Sequence, residues 1–288
     1  MKIKGHLDLF SGIGGFSLGL KRAGVEPEWI GFSDIDKYAN KLFKRRFPDA
    51  EELGSITDVS YKSLKGRRID LLTGGFPCQT FSIAGKRGGF DDTRGTLFFD
   101  IKRLLQDYIE NGKPIPCILL ENVKGLLNHN NGQTFATIYG ILSKLNYTLE
   151  CQLVNTKWWL PQNRERIYIF GRYNGKRSGR KIFPVYGKNG NNVKQKTKKM
   201  FIADFRYDEG IRPRKDGISP TLTIGGDVPF IIENNKVRHL TNIECERLQG
   251  FPDNWTDEQS DIQRYKQCGN AVSVCVTEAI FKKIYEKT

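Results

Sequence analysis

Apolar runs of strand length alternate with segments of helical apolar spacing over the first 171 residues of the chain. Strands are predicted at 6–10, 29–33, 69–73, 116–120 and 167–171, and helices at 16–23, 37–47, 97–109 and 134–145. An alternation of this kind is typical of a mostly parallel sheet that is covered by helices on both faces. The sequence therefore predicts an α/β fold with a doubly wound, mostly parallel, Rossmann-like sheet.

The regular alternation stops after Gly171. A stretch rich in Lys, Gly and Asn follows, and then short strands punctuated by proline are predicted at 221–224 and 230–232. A helix is expected at 242–249, and an amphipathic helix at 272–285 is expected to pack back on the first domain. We therefore expect a first domain at 1–171, a small, irregular, mainly β domain at 172–267, and a C-terminal segment at 268–288.

Basic residues outnumber acidic ones, and they cluster. The formal net charge is +14, which favours a polyanion as the partner. Between 172 and 199 there are ten Lys or Arg residues and no Asp or Glu. This segment is either a phosphate-facing surface or simply a solvated loop.

The distribution of cysteines argues against two kinds of site. The six cysteines are scattered, without a Cys-x-x-Cys pair and without His at ligand spacing. This pattern favours neither a zinc site nor a disulfide framework, so we predict no metal. There is also no long apolar run and no signal-like start, so we expect a soluble, cytoplasmic protein with no membrane partner.

Three positions near predicted strand ends can carry chemistry. Cys78 follows the third strand in a turn shaped by Gly and Pro, where a thiolate can meet a substrate. An isolated cysteine is more often an inert, buried residue, so its company matters. A glycine-rich turn, Ser-Gly-Ile-Gly-Gly, follows the first strand. Asp34 ends the second, where acidic residues commonly hold the ribose of an adenosine cofactor.

Six motifs in order connect the chain to a known family. They are Asp-Leu-Phe-Ser-Gly-Ile-Gly-Gly-Phe (8–16), Gly-Gly-Phe-Pro-Cys-Gln-Thr-Phe-Ser (74–82), Glu-Asn-Val (121–123), Gln-Asn-Arg-Glu-Arg (162–166), Arg-Leu-Gln-Gly-Phe-Pro (247–252) and Gly-Asn-Ala-Val (269–272). In this order they closely resemble the DNA (cytosine-5)-methyltransferases of bacteria and their phages. The resemblance covers nearly the whole chain except about 172–237, which is the variable target-recognition part in that family.

The resemblance implies methylation of cytosine at carbon 5 in double-stranded DNA, with S-adenosylmethionine as donor and S-adenosylhomocysteine as product. The Cys78 thiolate would add to carbon 6 of a cytosine flipped out of the duplex. Glu121 would protonate or hydrogen-bond N3. Arg164 and Arg166 would hold the cytosine and favour the thiolate, with Arg166 as the residue expected to contact the base.

The same resemblance implies a cofactor site. Its residues would be Phe10, Ser11, Gly12, Ile13, Gly14, Gly15, Asp34, Ile35, Ile56, Pro77, Leu97, Asn270 and Val272. The turn from Phe10 would wrap the methionine end, Asp34 would hold the ribose, and Ile35 and Ile56 would enclose the adenine. Many members carry Asp at the position of Ser55 and an aromatic residue at that of Ile35.

The DNA-facing parts follow from the same comparison. Gly85, Gly88 and Gly89, with Lys86 and Arg87 between them, would form a loop that closes over the flipped base. The basic segment at 172–199 would contact phosphates together with Arg212, Arg214 and Lys215. Side chains within 200–237 would read base edges in the major groove. The protein is expected to act as a monomer at the nucleoid. The resemblance connects it with restriction-modification and leaves open whether a restriction enzyme accompanies it.

Two alternatives remain open at the level of sequence. A tRNA cytosine-5 methyltransferase could use the same scaffold, although such relatives usually carry Pro-Pro-Cys and Cys-Phe-Thr motifs, which are absent here. A catalytically inactive DNA-binding relative is the second alternative. It would not be expected to retain Cys78, Glu121, Arg164 and Arg166 together with the glycine turn.

Overall fold

The structure is a computed structural model, and it describes residues 1–77, 97–174, 180–187, 200–206, 210–214, 216–222, 228–233 and 236–286. Several features singled out from the sequence lie outside these ranges. They include Cys78, Lys215, the loop at 85–89, and most of the basic residues between 176 and 199.

A seven-stranded sheet forms the centre of the protein, and it confirms the predicted fold class. Its strands are β1 (Lys2–Leu9), β2 (Glu26–Ser33), β3 (Glu51–Glu52), β4 (Leu71–Gly75), β5 (Cys117–Val123), β6 (Tyr147–Asn155) and β7 (Glu165–Tyr173). The spatial order is β3-β2-β1-β4-β5-β7-β6. β7 pairs antiparallel with both of its neighbours, whereas the other pairings are parallel.

Seven α-helices accompany the strands in the described ranges. They are α1 (Gly15–Arg22), α2 (Lys37–Arg46), α3 (Leu97–Glu110), α4 (Gln133–Lys144), α5 (Asn242–Gln249), α6 (Asp261–Asn270) and α7 (Val274–Tyr285). The four helices predicted before residue 171 are confirmed to within one residue at each end, and so is 242–249. The predicted helix at 272–285 begins two residues later, and α6 was not predicted.

Two apolar clusters cover the two faces of the sheet. One contains Leu7, Ile118 and Leu104 of α3, and the other contains Leu71, Phe16 of α1 and Phe281 of α7. Strands buried on both faces carry near-continuous apolar runs, which is why they were recognisable in the sequence.

The C-terminal helix α7 packs against the first helix, α1. A Cβ atom on Gly19 of α1 would overlap Oγ1 of Thr277 in α7. The same hydroxyl donates to the carbonyl of Gly15, at 3.2 Å. The glycine therefore allows the two helices to approach closely.

A second, antiparallel sheet confirms the small β part. Its strands are β8 (Met200–Arg206), β9 (Gly210–Pro213), β10 (Phe230–Glu233) and β11 (Lys236–His239), in the order β11-β10-β8-β9. The predicted strand at 230–232 is β10. The predicted strand at 221–224 is wrong for Thr221 and Leu222, which are not in a strand; 223 and 224 lie outside the described residues. An isolated parallel β-bridge lies two residues before Thr221, where Ser219 pairs with Gln162.

Part of the basic segment covers the edge strand β6. The Glu150 carboxylate accepts hydrogen bonds from the backbone amides of Ile182 and Phe183, at 2.9 and 3.1 Å. The side chains of both residues are buried on the sheet. Arg180 pairs with Glu286, at 2.5 Å. Residues 180–187 thus protect an exposed sheet edge.

In the described ranges, no helix is both long and apolar enough to span a bilayer.

Candidate functional site

Four neighbouring strands bring chemically useful residues to one edge of the sheet. β1 ends at the glycine-rich turn, β2 ends one residue before Asp34, and β4 ends at Gly75, three residues before Cys78. In the register between β4 and β5, Gly75 lies opposite Glu121. The carboxyl ends of parallel strands form the usual ligand-binding edge of such sheets. Cys78 itself lies outside the described residues.

Glu121 forms a buried ion pair with Arg166. Its Oε1 lies 3.0 Å from Nε of Arg166, and the two side chains are only 10% and 16% exposed. Val123 pairs with Arg166 in the register of β5 and β7, so Glu121 and Arg166 are diagonal neighbours on one face. The sheet therefore brings together two of the predicted catalytic residues.

Burial favours the protonated form of Glu121. It raises the pKa of this carboxyl above its usual value, although the charges of Arg166 and Arg164 oppose the rise. A Cβ atom on Gly75 would lie 3.3 Å from Oε2 of Glu121. The glycine at the end of β4 thus leaves the second carboxyl oxygen room, and the group is suited to carry a proton.

Arg164 serves a different part of the molecule from Arg166. It is 2% exposed, and its two Nη groups donate to the carbonyls of Gly269 and Ala271, at 3.1 and 2.8 Å. Burial lowers its pKa to about 10. These bonds fasten the Gly-Asn-Ala-Val segment to the Gln-Asn-Arg-Glu-Arg segment, whereas the sequence suggested that Arg164 holds the base.

A buried chain of hydroxyl and amide groups also fixes this C-terminal segment. Thr156 Oγ1 lies 2.8 Å from Ser273 Oγ, which donates to Gln249 Oε1 at 3.0 Å. The amide of Gln249 donates to the carbonyl of Cys268, at 2.8 Å. Sequence reasoning missed these residues. The sequence feature that could have pointed to them is Gln249, which lies inside the Arg-Leu-Gln-Gly-Phe-Pro motif.

The turn after β1 is shaped by left-handed backbone conformations. Phe10, Gly12 and Gly14 have φ values of 52°, 50° and 83°. The amide of Gly12 donates to Oδ2 of Asp34, at 2.8 Å. A Cβ atom on Gly15 would lie 2.6 Å from Cγ2 of Val272. Four predicted cofactor residues, Gly12, Asp34, Gly15 and Val272, therefore meet in two contacts.

The surroundings of this turn fit a nucleoside-type group. Among the described residues, a Cβ atom on Gly12 would have no neighbour within 4 Å, and the buried Ser11 Oγ has no hydrogen-bond partner. Ile35 is 84% exposed just beyond β2, while Ile56 is buried at the start of a short 3₁₀ helix. An exposed apolar side chain, a carboxylate and open backbone suit the ring, hydroxyl groups and polar tail of such a ligand.

The remaining predicted cofactor residues are placed as follows. Ile13 is buried within the turn. Leu97 is the first residue of α3 and is half-buried, and Pro77 and Asn270 are exposed. The Ser55 hydroxyl accepts a hydrogen bond from Thr57 Oγ1, at 2.8 Å. In the described ranges, no group of three or more His, Cys, Asp or Glu side chains could hold a metal ion.

Comparison with known sequences gives consistent matches. The profile of a family described as C-5 cytosine-specific DNA methylase matches residues 5–210 and 175–286. Type II methyltransferase M1.ScrFI of Lactococcus lactis subsp. cremoris is 37% identical over 97% of this chain and 77% of its own length. Type II methyltransferase M.HpaII of Haemophilus parainfluenzae is 35% identical over 98% of this chain and 89% of its own length.

Solved structures share the fold at lower identity. A DNMT2 variant from Spodoptera frugiperda matches with a TM-score of 0.73 and 22% identity, over 99% of this chain and 100% of that chain. The Entamoeba histolytica methyltransferase EhMeth matches with a TM-score of 0.73 and 20% identity, over 99% of each chain. Identities this low establish a common architecture and nothing about substrate.

Proposed function

Because this chain belongs to the C-5 cytosine-specific DNA methylase family, we propose that it methylates cytosine at carbon 5 in duplex DNA, using Cys78 as a nucleophile. The observation that carries the proposal is the buried pair of Glu121 and Arg166, in which Glu121 lies opposite Gly75, three residues before Cys78. A carboxyl whose pKa burial has raised is suited to supply a proton next to a nucleophile.

The proposed chemistry begins with the cysteine. The Cys78 thiolate bonds to carbon 6 of the cytosine, and the electron pair that it displaces moves through the ring to N3, which takes the proton of the Glu121 carboxyl. Carbon 5 becomes nucleophilic and takes the methyl group. A water molecule then takes the proton from carbon 5, and the electron pair left behind re-forms the double bond between carbons 5 and 6 and expels the Cys78 thiolate. N3 returns its proton to the Glu121 carboxylate, which regenerates both residues. The Arg166 guanidinium orients Glu121 and contacts the base.

The methyl donor we propose is S-adenosylmethionine, which supplies an electrophilic methyl group on a positively charged sulfur. The turn from Phe10 to Gly15 would hold its amino-acid end. Asp34 would accept hydrogen bonds from the ribose, and Ile35 and Ile56 would enclose the adenine. Arg164 acts at a distance in this scheme, because it holds the backbone on either side of Asn270.

Duplex DNA is the proposed substrate. The target cytosine has to leave the base stack before a thiolate can reach carbon 6, which requires a few kcal/mol. The glycine-rich loop at 85–89 would close over the flipped base, and the residues of the small antiparallel sheet would read the flanking sequence. We propose that the enzyme acts as a monomer in the cytoplasm, at the nucleoid. The relatives M1.ScrFI and M.HpaII are Type II methyltransferases of bacteria.

A pair of cysteine variants tests the mechanism. Methyl transfer from labelled S-adenosylmethionine is measured on duplex DNA and on tRNA. We expect transfer to DNA only, and a loss of about three orders of magnitude or more in Cys78→Ala. Cys151→Ala is the matched control, because Cys151 is exposed on the edge strand β6. It should retain activity to within about twofold.

Other outcomes would point elsewhere. Transfer to tRNA but not to DNA would identify the RNA-modifying alternative. No transfer to either substrate, with intact binding of duplex DNA, would identify an inactive relative. Undiminished transfer by Cys78→Ala would refute the covalent mechanism. Sequencing the methylated cytosines in DNA from expressing cells then gives the recognition sequence.

A further inference from the structure

A fully buried polar network involves both elements that flank the turn at 10–15, which we call the cofactor turn. This network plays no part in the chemistry proposed so far. Asp8 of β1 accepts hydrogen bonds from Ser17 of α1, at 2.7 Å, and from Thr73 of β4, at 2.9 Å. His6 Nε2 lies 2.8 Å from the Thr73 hydroxyl. His6, Asp8 and Thr73 are 0% exposed, and Ser17 is 3% exposed.

The directions of these hydrogen bonds follow from the chemistry of the groups. Each hydroxyl has one proton, so the Thr73 proton that goes to Asp8 is not available to His6. The His6 ring must therefore donate from Nε2, which a neutral ring can do. Burial lowers the pKa of His6 to about 3, which keeps the ring neutral. An ionised Asp8 thus accepts from two different elements at once.

The two donors lie on the two parts of the proposed active site. Ser17 is in the first turn of α1, directly after the turn at 10–15. Thr73 lies two residues before Gly75 and five before Cys78 on the chain. Asp8 therefore joins the start of α1 to β4, the strand that Cys78 follows in the chain.

A carboxylate in a protein core carries a large desolvation penalty. Within the ranges that the structure describes, hydroxyl groups hydrogen-bond to the Asp8 carboxyl and no Lys or Arg forms an ion pair with it. An apolar side chain of similar volume would avoid the desolvation penalty. What an apolar side chain cannot do is fix the position of two separate elements by directed hydrogen bonds.

We propose that Asp8 is a positioning residue, which holds the cofactor turn and the end of β4 in one arrangement through Ser17 and Thr73. This inference rests on the proposed function, because it takes the turn to be the cofactor site. It predicts that a change at Thr73, on the β4 side of the network, weakens cofactor binding at the turn.

The test measures binding without catalysis. Calorimetric titration of the full chain with S-adenosylhomocysteine, without DNA, reports on the cofactor turn. We expect Thr73→Val and Asp8→Asn each to raise Kd by about fivefold, the factor that corresponds to one lost hydrogen bond. In the double variant Asp8→Asn/Thr73→Val the two effects should combine to less than their product, since both break the same connection.

Thr134→Val is the matched control. Thr134 is also a fully buried threonine whose hydroxyl bonds to a histidine ring, 2.7 Å from His129 Nδ1, but it lies at the start of α4. Its Kd should equal that of the wild type. A Thr73→Val protein with wild-type Kd would overturn the inference, as would an equal loss in Thr134→Val. If the wild type binds no S-adenosylhomocysteine, the proposed function fails instead.

The pH dependence of the same titration separates positioning from general stability. Burial raises the pKa of Asp8 to about 7, against the hydrogen bonds from Ser17 and Thr73, and the charge of Asp34 adds to the rise. The ionised, doubly accepting form is therefore lost as pH falls from 8 to 6, and wild-type affinity should fall with it. Asp8→Asn should show no such fall. An equally steep fall in Asp8→Asn would contradict the assignment.

Discussion

Glu121 and Asp8 are buried carboxyl groups in different surroundings. Burial raises the pKa of both. Glu121 has the guanidinium of Arg166 beside it, at 3.0 Å, whereas Asp8 accepts from two hydroxyl groups. Glu121 lies opposite Gly75 at the ligand-binding edge of the sheet and is suited to exchange a proton with a bound base, whereas Asp8 is 0% exposed and holds Ser17 and Thr73 in place. Their roles differ accordingly.

The role of Glu121 can be tested against a neighbouring carboxylate. We expect Glu121→Gln to lower kcat by about 10²–10⁴-fold, because the amide cannot give a proton to N3. The control is Glu165→Gln, since Glu165 forms a partly exposed pair with Lys124 at 2.9 Å. Such pairs contribute little, and kcat should change by less than about threefold. Equal losses in the two variants would contradict a proton-donating role for Glu121.

The pH profile of the wild type gives a second reading of Glu121. The protonated carboxyl is the active form, and burial raises its pKa above the usual value. The methylation rate that depends on this proton should therefore fall as pH rises through the raised pKa. Glu121→Gln carries no proton to lose, so this fall should be absent from its profile. Single-turnover kinetics across the pH range measure the step directly.

The raised pKa of Asp8 also predicts how the free energy of unfolding depends on pH. Its pKa rises from 3.8 to about 7 on folding, so the folded chain binds the proton more tightly and loses stability as pH rises between these values. His6 acts in the opposite direction, because its pKa falls from 6.5 to about 3 and stability is lost as pH falls. Comparison with a variant at Asp8 separates the two contributions.

Asp8→Asn should be the more stable protein at high pH. Relative to the wild type, its free energy of unfolding should increase by roughly 2–3 kcal/mol between pH 5 and pH 8. Urea unfolding at both pH values measures the difference. A variant that is less stable than the wild type at pH 8 would show that the carboxylate stabilises the fold, contrary to its assignment as a positioning residue.

At the scale of elements, the contact between α1 and α7 depends on a glycine. Gly19→Ala places a methyl group against Thr277, and overpacking of this kind lowers the free energy of unfolding by about 1–3 kcal/mol. Gly140→Ala is the matched change within α4, where the new Cβ has no neighbour within 4 Å in the part of the chain that the structure describes. It should stabilise the chain by about 0.5–1 kcal/mol, because alanine favours helix. Chemical denaturation of both variants gives the comparison, and effects of the same sign would refute it.

The sequence predicted some elements more easily than others. β1 and β4 are buried on both faces, and their apolar runs were visible. β6 was missed because it mixes polar and apolar residues, and residues 180–187 cover it through Glu150 and Gln152. α6 was missed because most of its length is polar, and its buried residues, Gln267, Cys268 and Gly269, cluster near its end. Contacts made by distant segments do not leave a local period in the sequence.

At the scale of the whole molecule, the basic residues behind the net charge of +14 form two groups. One group takes part in the fold, and the other is proposed to contact DNA. Some basic residues are part of the fold, since Arg180 pairs with Glu286 and Arg45 and Arg46 both contact Asp257. The arginines at 45 and 46 tie α2 to the segment after α5, where Phe251 and Trp255 pack beside Ile13. The total of 46 Lys and Arg residues therefore overstates the number of cations that are available to DNA.

Salt dependence of DNA binding separates these groups. The logarithm of the binding constant should fall linearly with the logarithm of salt concentration. Replacing Lys196, Lys198 and Lys199 with alanine should lower the slope by about one for each phosphate that the protein then leaves unneutralised. Arg180→Ala should leave the slope unchanged, because its guanidinium pairs with Glu286. A changed slope in Arg180→Ala, or an unchanged one in the triple variant, would contradict this division.

The sequence by itself determined the class of fold, the order of the motifs and the residue types at the site, because apolar periodicity and glycine turns are local properties. The tertiary structure alone decided which of these residues meet. It placed Glu121 against Arg166, turned Arg164 toward the carbonyls of Gly269 and Ala271, and joined Asp8 to both Ser17 and Thr73. Burial and hydrogen-bond partners set the proton affinity and orientation of each group, and both depend on segments that are far apart in the chain.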